Sequence, residues 1–203
     1  PLTGDMRTFP ADCYVFMGTS MGTVKKTALD EFSNPRKAGI IAVDLDEGDF
    51  LVGAALTDGQ HDVMLFSDGG KAVRFAEQDL RPMGRNARGN KGMNLEPGQS
   101  VIAMLVAEDE TQSVLTATEH GYGKRTSIVE YTRHGRGTKG MIAIQQSDRN
   151  GKVVAATLVR PDDEIMLITD KGVLVRTRVA EIRELGRATQ GVTLIALDTG
   201  STL

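Results

Sequence analysis

The segment FSDGGKAVRF, residues 66–75, joins the end of an apolar run, a polar turn with glycine and a short strand-like stretch that carries a cation. The 203-residue chain contains three further segments of the same kind: TSMGTVKKT (19–27), TEHGYGKRT (118–126) and ITDKGVLVRT (168–177). The turn glycines are separated by 48, 51 and 51 residues: Gly22, Gly70, Gly121 and Gly172. A repeat of this length predicts four copies of one structural unit, each packed against its neighbours.

Other positions follow the same period. A cation stands four residues after each turn glycine: Lys26, Arg74, Arg125 and Arg176. A second glycine precedes an apolar stretch in every copy: Gly39, Gly92, Gly140 and Gly191. A third turn follows at Gly48, Gly98 and Gly151, and the fourth copy reaches TGSTL (199–203). We therefore expect a single domain over residues 1–203, with repeats at about 13–59, 60–110, 111–162 and 163–203, the last of them incomplete.

Each repeat offers about four short strands separated by turn signals. The apolar runs are continuous rather than alternating, which is typical of strands covered on both faces: VMLF (63–66), VIAMLV (101–106) and IMLI (165–168). The best helical candidates, ALDEFS and VAEIRELG, are long enough for one or two turns. The sequence predicts an all-β, propeller-like ring of four-stranded blades. A pair of β-sandwiches is disfavoured, because sandwiches do not usually repeat with a fixed period.

Composition limits the classes of protein and partner. The single cysteine, Cys13, excludes an intrachain disulfide framework. No apolar run reaches the roughly 20 residues that span a bilayer, and the start PLTGDMRTFP lacks signal-peptide character, so we expect a cytoplasmic protein without membrane contact. The formal net charge of −3, taken alone, disfavours nucleic acid as a partner.

The distribution of charge reverses that first impression. Four windows run from the first to the second glycine of each repeat, the fourth opening one residue earlier at Lys171: 22–39, 70–92, 121–140 and 171–191. They hold 20 of the 24 Lys and Arg residues but only 7 of the 27 Asp and Glu residues. The acidic segments occupy a different turn of the repeat: DLDEGD (44–49), EDE (108–110) and DDE (162–164). One sign of charge at one repeated position predicts a basic belt that binds nucleic acid.

The residue types in the belt indicate the mode of binding. Glycine allows close approach to a polyanion, and Lys and Arg neutralise phosphates without reading sequence. The chain has no Trp and 4% aromatic residues, which disfavours base stacking. We expect a duplex bent along the rim. The predicted DNA-contact residues are Lys25, Lys26, Arg36, Lys37, Lys71, Arg74, Arg85, Arg88, Lys91, Lys124, Arg125, Arg133, Arg136, Lys139, Arg176 and Arg187.

Catalytic and cofactor signals are weak. His61, His120 and His134 lack the spacing of zinc ligands, and neither a GxGxxG nor a GxxxxGK[ST] motif occurs. DLDEGD resembles the start of a calcium loop, but its glycine stands at position five and Ala55 at position twelve, so a solvated turn is favoured. We expect no metal ion, no cofactor and no catalytic residue in this chain.

Several strings together resemble a known family. They are GTVKKT followed by L-x-E-F, VMLFSDGGKAVRF, GYGKRTS followed by VEY, TKGMIAI, and MLITDKGVLVRTRVAEI with GRATQGV. From about residue 13 onward the chain resembles the C-terminal domain of the bacterial DNA gyrase A protein, part of a type IIA topoisomerase. The resemblance implies a β-pinwheel, a ring with strands exchanged between blades, that wraps DNA and supports negative supercoiling. It also implies a nucleoid-associated location, the rest of gyrase A together with gyrase B as partners in a heterotetramer, and ATP and Mg used elsewhere in that enzyme.

The sequence departs from the family pattern in two ways. The family's domain usually has six blades, and its first blade carries a heptad Q-R-R-G-G-K-G needed for tight wrapping. The nearest strings here are ARGNKG (87–92) and GRGTKG (135–140), so we expect a fragment lacking the start of the domain or a divergent relative. Tyr14, Tyr122 and Tyr131 lie outside the family's cleavage context, so the chain is expected to be a non-catalytic module. We also expect the isolated domain to be a monomer.

Two alternatives to this assignment stay open. The first is the related C-terminal domain of topoisomerase IV. The second, from another class of protein, is a propeller-like platform whose basic belt binds an acidic protein partner.

Overall fold

The computed structural model describes residues 9–203. It consists of four antiparallel sheets that follow one another along the chain. Its strands are β1 (Tyr14–Thr19), β2 (Thr23–Ala28), β3 (Leu51–Thr57), β4 (Asp62–Ser67), β5 (Lys71–Ala76), β6 (Asn90–Lys91), β7 (Val101–Ala107), β8 (Ser113–Thr118), β9 (Tyr122–Ser127), β10 (Met141–Ile142), β11 (Val153–Val159), β12 (Glu164–Ile168), β13 (Leu174–Arg178) and β14 (Val192–Thr193). Single 3-10 turns follow the second strand of each repeat: Leu29–Phe32, Glu77–Asp79, Ile128–Glu130 and Val179–Glu181. The prediction of an all-β fold is confirmed.

Neighbouring repeats exchange strands. The first three sheets have the orders β3-β1-β2-β6, β7-β4-β5-β10 and β11-β8-β9-β14. In each of them the last strand comes from the following repeat, as the pairs Thr23↔Lys91, Ala72↔Met141 and Gly123↔Val192 show. This is the exchange that the pinwheel resemblance implies. Because each sheet draws on two repeats, sheets and sequence repeats do not share boundaries, and the boundaries of the repeats stay predictions.

The repeated turn glycine is required where the following repeat crosses. The carbonyl of Gly121 accepts hydrogen bonds from the backbone N–H groups of Leu194 and Ile195, at 2.8 and 3.2 Å. Its φ is +82°, and a Cβ there would lie 2.4 Å from the Ile195 carbonyl oxygen. Gly22 repeats this arrangement with Met93, at 2.7 Å. The periodic glycine therefore reflects a backbone crossing that leaves no room for a side chain.

The core lies between successive sheets. Along β4, Val63 and Leu65 belong to the hydrophobic cluster shared with the first sheet, which includes Phe16. Met64 and Phe66 belong to the cluster shared with the third sheet, which includes Tyr131 and Val114. Alternate residues of one strand therefore fill two different cores, which explains why its sequence is a continuous apolar run.

The inner and outer edges of the sheets differ. β3 and β11 each pack against β7, so these three strands form the inner edge. The short exchanged strands β6, β10 and β14 stand at the opposite, outer edge. β12 and β13 form a sheet of two strands, and among residues 9–203 no further strand pairs with either. The last repeat is thus incomplete, as the sequence predicted.

None of the helices in residues 9–203 is long and apolar enough to span a bilayer.

Replacing Gly121 with alanine tests the crossing. We expect Gly121→Ala to lower the free energy of unfolding by about 2 kcal/mol or more, because it combines a left-handed φ with a backbone clash. Gly135→Ala is the matched control, since a Cβ at Gly135 meets nothing within 4 Å and should change stability by less than about 0.5 kcal/mol. Urea unfolding of both variants measures the difference, and equal effects would contradict the crossing.

Candidate nucleic-acid interface

The basic loops of successive repeats overlap at the outer edge of the sheets. We define them by residues 33–41, 81–91, 132–140 and 183–190, and refer to them as loops one to four. Backbone hydrogen bonds join each of loops two to four to the preceding repeat: Asp44 N–H to Ala87 O at 3.5 Å, Asn94 N–H to Thr138 O at 2.8 Å and Gln145 N–H to Thr189 O at 2.9 Å. The four loops therefore form one continuous surface, the basic strip.

One arginine in each of loops two to four strengthens this overlap. Arg85, Arg136 and Arg187 are each 51 residues apart and half-buried. Each donates from Nη1 to a carbonyl of the preceding repeat: Ile41 O at 2.8 Å, Lys91 O at 3.1 Å and Ile142 O at 2.8 Å. These arginines lie on the strip and also join its loops, and their contact with DNA stays a prediction.

In the first three repeats, the cation four residues after the turn glycine points toward the next repeat rather than outward onto the strip. Lys26 donates to Glu77 O at 2.9 Å, Arg74 to Ile128 O and Tyr131 O at 3.0 and 3.2 Å, and Arg125 to Ile182 O at 2.7 Å. All of these carbonyls stand at an end of the next repeat's 3-10 turn. Lys26 and Arg74 are buried and Arg125 nearly so. We therefore remove these three residues from the predicted DNA contacts, because their donors hold adjacent repeats together.

Lys25 and Lys124 also point inward. The Lys25 ammonium donates to Ala42 O at 2.7 Å and to Arg85 O. The Lys124 ammonium, with no exposed surface, donates to Gly186 O at 2.7 Å, to Arg187 O, and to the Thr189 hydroxyl at 3.1 Å. Burial lowers the pKa of Lys25, and it lowers the pKa of Lys124 to about 8. These two lysines are likewise removed from the set of direct contacts.

Arg74 also belongs to a charged network beneath loop three. Its Nε lies 2.7 Å from the buried carboxylate of Asp62, and its Nη2 contacts Glu110. Arg133 of loop three reaches the same Asp62 at 2.8 Å while 60% of its side chain remains exposed. The network anchors one end of loop three to the second sheet.

Some acidic residues lie on the strip itself, contrary to the expected separation of charges. Arg88 pairs with Asp44 at 3.2 Å and Asp46 at 2.6 Å. Lys139 pairs with Glu96 at 2.8 Å. The strand exchange causes this, because it brings loops two and three over the turn segments of the preceding repeat. EDE (108–110) is different: Glu108 and Asp109 pair with Arg160, which keeps the pKa of Asp109 low.

The remaining predicted cations are accessible to a large partner. Arg36, Lys37, Arg88, Lys91, Arg133 and Lys139 are exposed, and Lys71 is half-buried. Arg176 is exposed but pairs with Glu164 on the fourth sheet. Arg81 and Arg183 are exposed in loops two and four at equivalent positions of the repeat. The prediction from sequence omitted these two, and loop three has Thr132 at the same position.

One histidine lies beside two carboxylates. Nδ1 of His61 is 2.9 Å from Asp58 and 3.6 Å from the buried Glu77, and the three ligand atoms lie within 4.8 Å of one another. By distance these residues could hold a metal ion. The Glu77 oxygens already accept hydrogen bonds from the Thr57 hydroxyl at 2.6 Å and from the backbone N–H of His61 at 2.9 Å, so the burial of Glu77 is also explained without a metal ion. The absence of a metal stays a prediction.

The DLDEGD turn is closed by its last residue. The Asp49 carboxylate accepts hydrogen bonds from the Ser20 hydroxyl at 2.8 Å, from Met21 N–H at 2.9 Å and from Phe50 N–H at 2.9 Å. Burial opposes ionisation, but the hydrogen bonds outweigh it and hold the pKa of Asp49 below its usual value. Asp49 is thus a buried turn-closing residue, whereas Asp44 and Asp46 are exposed.

Comparison with known proteins agrees with this architecture. The family model described as "DNA gyrase C-terminal domain, beta-propeller" matches residues 14–58, 61–108, 112–160 and 163–203. The DNA gyrase A protein of Pseudomonas aeruginosa is 53% identical over 201 residues, covering 99% of this chain and 22% of the relative. The DNA gyrase A protein of Escherichia coli is 52% identical over 181 residues, covering 89% and 21%. The chain therefore spans about a fifth of the length of these relatives.

Solved structures show the same fold. The C-terminal domain of DNA topoisomerase IV superposes with a TM-score of 0.90 at 26% identity, covering 96% of this chain and 61% of that one. The DNA gyrase A C-terminal domain superposes with a TM-score of 0.84 at 28% identity, covering 96% and 65%.

The inward cations give a test of their structural role. We expect Arg74→Met to lower the free energy of unfolding by about 3 kcal/mol, because it leaves two carbonyls without their donor and removes a buried partner of Asp62. Arg176→Met is the matched control: it occupies the same repeat position but is 69% exposed, so a change below about 0.5 kcal/mol is expected. Thermal unfolding compares the two, and a similar loss in both would refute the inter-repeat role.

Proposed function

Because the chain belongs to the family of DNA gyrase C-terminal domains, we propose that it binds duplex DNA along the basic strip and bends the duplex around the outer edge. The observation that carries this proposal is the overlap of loops from successive repeats, which makes separate basic loops into one continuous surface. A continuous curved row of cations matches a phosphate backbone that follows the edge.

The chemistry of the strip favours binding that does not depend on sequence. Arg and Lys side chains and loop N–H groups contact phosphates, whereas reading bases requires an element inserted into a groove. The described loops carry no helix longer than a single 3-10 turn. The ion pairs of Arg88 and Lys139 are exposed and screened by solvent, so phosphates can replace their carboxylates.

The relatives suggest the larger setting. We place the chain as a module of a gyrase A protein, in which bending DNA supports negative supercoiling. DNA cleavage, ATP hydrolysis and Mg binding then belong to other parts of gyrase A and to gyrase B. The isolated module is a monomer and binds no cofactor. Within the parent protein it lies in the bacterial cytoplasm, at the nucleoid. A topoisomerase IV origin is disfavoured, because the relatives 53% and 52% identical to this chain are gyrase A proteins.

Salt dependence distinguishes DNA from an acidic protein partner. We expect the logarithm of the duplex association constant to fall linearly with the logarithm of salt concentration, with a slope of about −0.9 per phosphate neutralised. Fluorescence anisotropy with duplexes of unrelated sequence measures this slope. A flat response, or selective binding of one sequence, would sink the proposal.

Single charges on and off the strip give a sharper comparison. Lys91→Gln and Lys139→Gln should each weaken binding to all duplexes alike and make the slope shallower by about one. Arg160→Gln removes the same charge from an exposed side chain that pairs with Glu108 and Asp109, away from the strip. We expect Arg160→Gln to bind as the wild type does. Equal losses in all three variants would mean that total charge, and not the strip, governs binding.

The carboxylates on the strip should compete with phosphate. We expect Asp44→Asn combined with Asp46→Asn to strengthen duplex binding by about two- to fivefold, because Arg88 then loses both of its carboxylate partners. The control, Glu108→Gln with Asp109→Asn, makes the same change in formal charge off the strip. Titration at low salt measures both, and equal gains would contradict a local effect.

A further inference from the structure

Two buried ammonium groups lie directly beneath the basic strip. Lys25 extends from β2 and Lys124 from β9, at the same position of the repeat. Both donate to the carbonyl of a half-buried loop arginine, which is Arg85 for Lys25 and Arg187 for Lys124. Each ammonium therefore holds the backbone from which a strip arginine extends.

The second sheet provides an internal comparison. Val73 occupies the equivalent position on β5 and is buried in the first hydrophobic cluster. Valine has no donor for the carbonyl of Arg136, which corresponds to those of Arg85 and Arg187. The fold thus forms with valine at this position, so a buried lysine is not needed to build a sheet of this kind. Burying an ammonium costs free energy, so we infer that Lys25 and Lys124 serve the loops above them.

We propose that Lys25 and Lys124 are positioning residues that fix the backbone of loops two and four in the conformation that contacts duplex DNA. This inference rests on the proposed DNA binding. Loop three has no ammonium beneath it, and its backbone is bonded instead through the N–H of His134 to Arg74 O at 2.8 Å and the N–H of Gly137 to Gly92 O at 2.6 Å.

The surroundings of Lys124 make its role sensitive to pH. Its protonated ammonium supplies the donors for the carbonyls of Gly186, Arg187 and Thr189. Burial lowers its pKa to about 8; Glu130 of the 3-10 turn raises it and Arg187 of loop four lowers it. The neutral amine has one donor fewer and turns a lone pair toward the carbonyls. Because phosphates favour the ammonium, DNA binding should raise this pKa, and affinity should fall as pH rises above about 8.

A double-mutant cycle tests whether Lys124 acts through loop four. We expect Lys124→Met and Arg187→Gln each to weaken duplex binding by about five- to tenfold, and the double variant to lose no more than the greater single loss. Lys124→Met should also abolish the fall in affinity that the wild type shows between about pH 7 and 9, a range in which free lysine side chains stay charged. Additive losses, or an unchanged pH profile in Lys124→Met, would overturn the proposal.

Amide hydrogen exchange gives a readout that does not depend on DNA. The N–H of Gln145 bonds to Thr189 O in loop four, which Lys124 holds, and the N–H of Asn94 bonds to Thr138 O in loop three. Lys124→Met should raise exchange at Gln145 about tenfold and leave Asn94 unchanged, while equal changes at both would contradict a local clamp. Lys124→Val, which copies Val73, replaces the methionine variant if that one unfolds.

The outcomes separate the two proposals. A wild-type chain that fails to bind any duplex refutes the proposed function, and the exchange at Gln145 still decides whether the clamp exists. A wild-type chain that binds DNA, with Lys124→Met binding equally well at every pH, refutes the positioning role alone.

Discussion

Hydrogen bonding between each repeat and the next is the constraint on which this structure depends. The carbonyl of the turn glycine accepts two N–H groups from the following repeat, which supplies the outer strand of the sheet. The cation four residues later donates to the 3-10 turn of that same repeat. A repeat of this kind cannot satisfy its own backbone, so stability builds up by contact between neighbours.

The same exchange produces the proposed binding surface. A strand donated to the preceding sheet carries its basic loop with it, so loop two lies over the end of repeat one, and loop three over repeat two. Arg85, Arg136 and Arg187 lie at these overlaps and bond the underlying loops. Fold and interface are therefore one arrangement: the contact that closes each sheet also places successive clusters of cations side by side.

Much of the architecture could be predicted from the sequence because its causes are local and periodic. The turn glycines, the continuous apolar runs and the absence of long helical patterns indicated four copies of an all-β unit and an incomplete last repeat. The direction of the cations could not be predicted in this way. β2, β5 and β9 are covered on both faces, so alternation along the strand does not separate inward from outward positions. Lys26 and Arg74 therefore read like surface residues although they are buried.

The sequence by itself determined the repeat, the strand content and the placing of most cations in one window of each repeat, because glycine, apolar run length and charge are properties of single segments. Only the tertiary structure decided which cations face outward and which hold the next repeat, and which carboxylates lie beside the strip. Asp44 reaches Arg88, and Lys124 reaches Arg187, only through a strand exchanged between repeats. Hydrogen bonds and ion pairs depend on distances in space, and strand exchange brings together residues that are more than 40 positions apart in the chain.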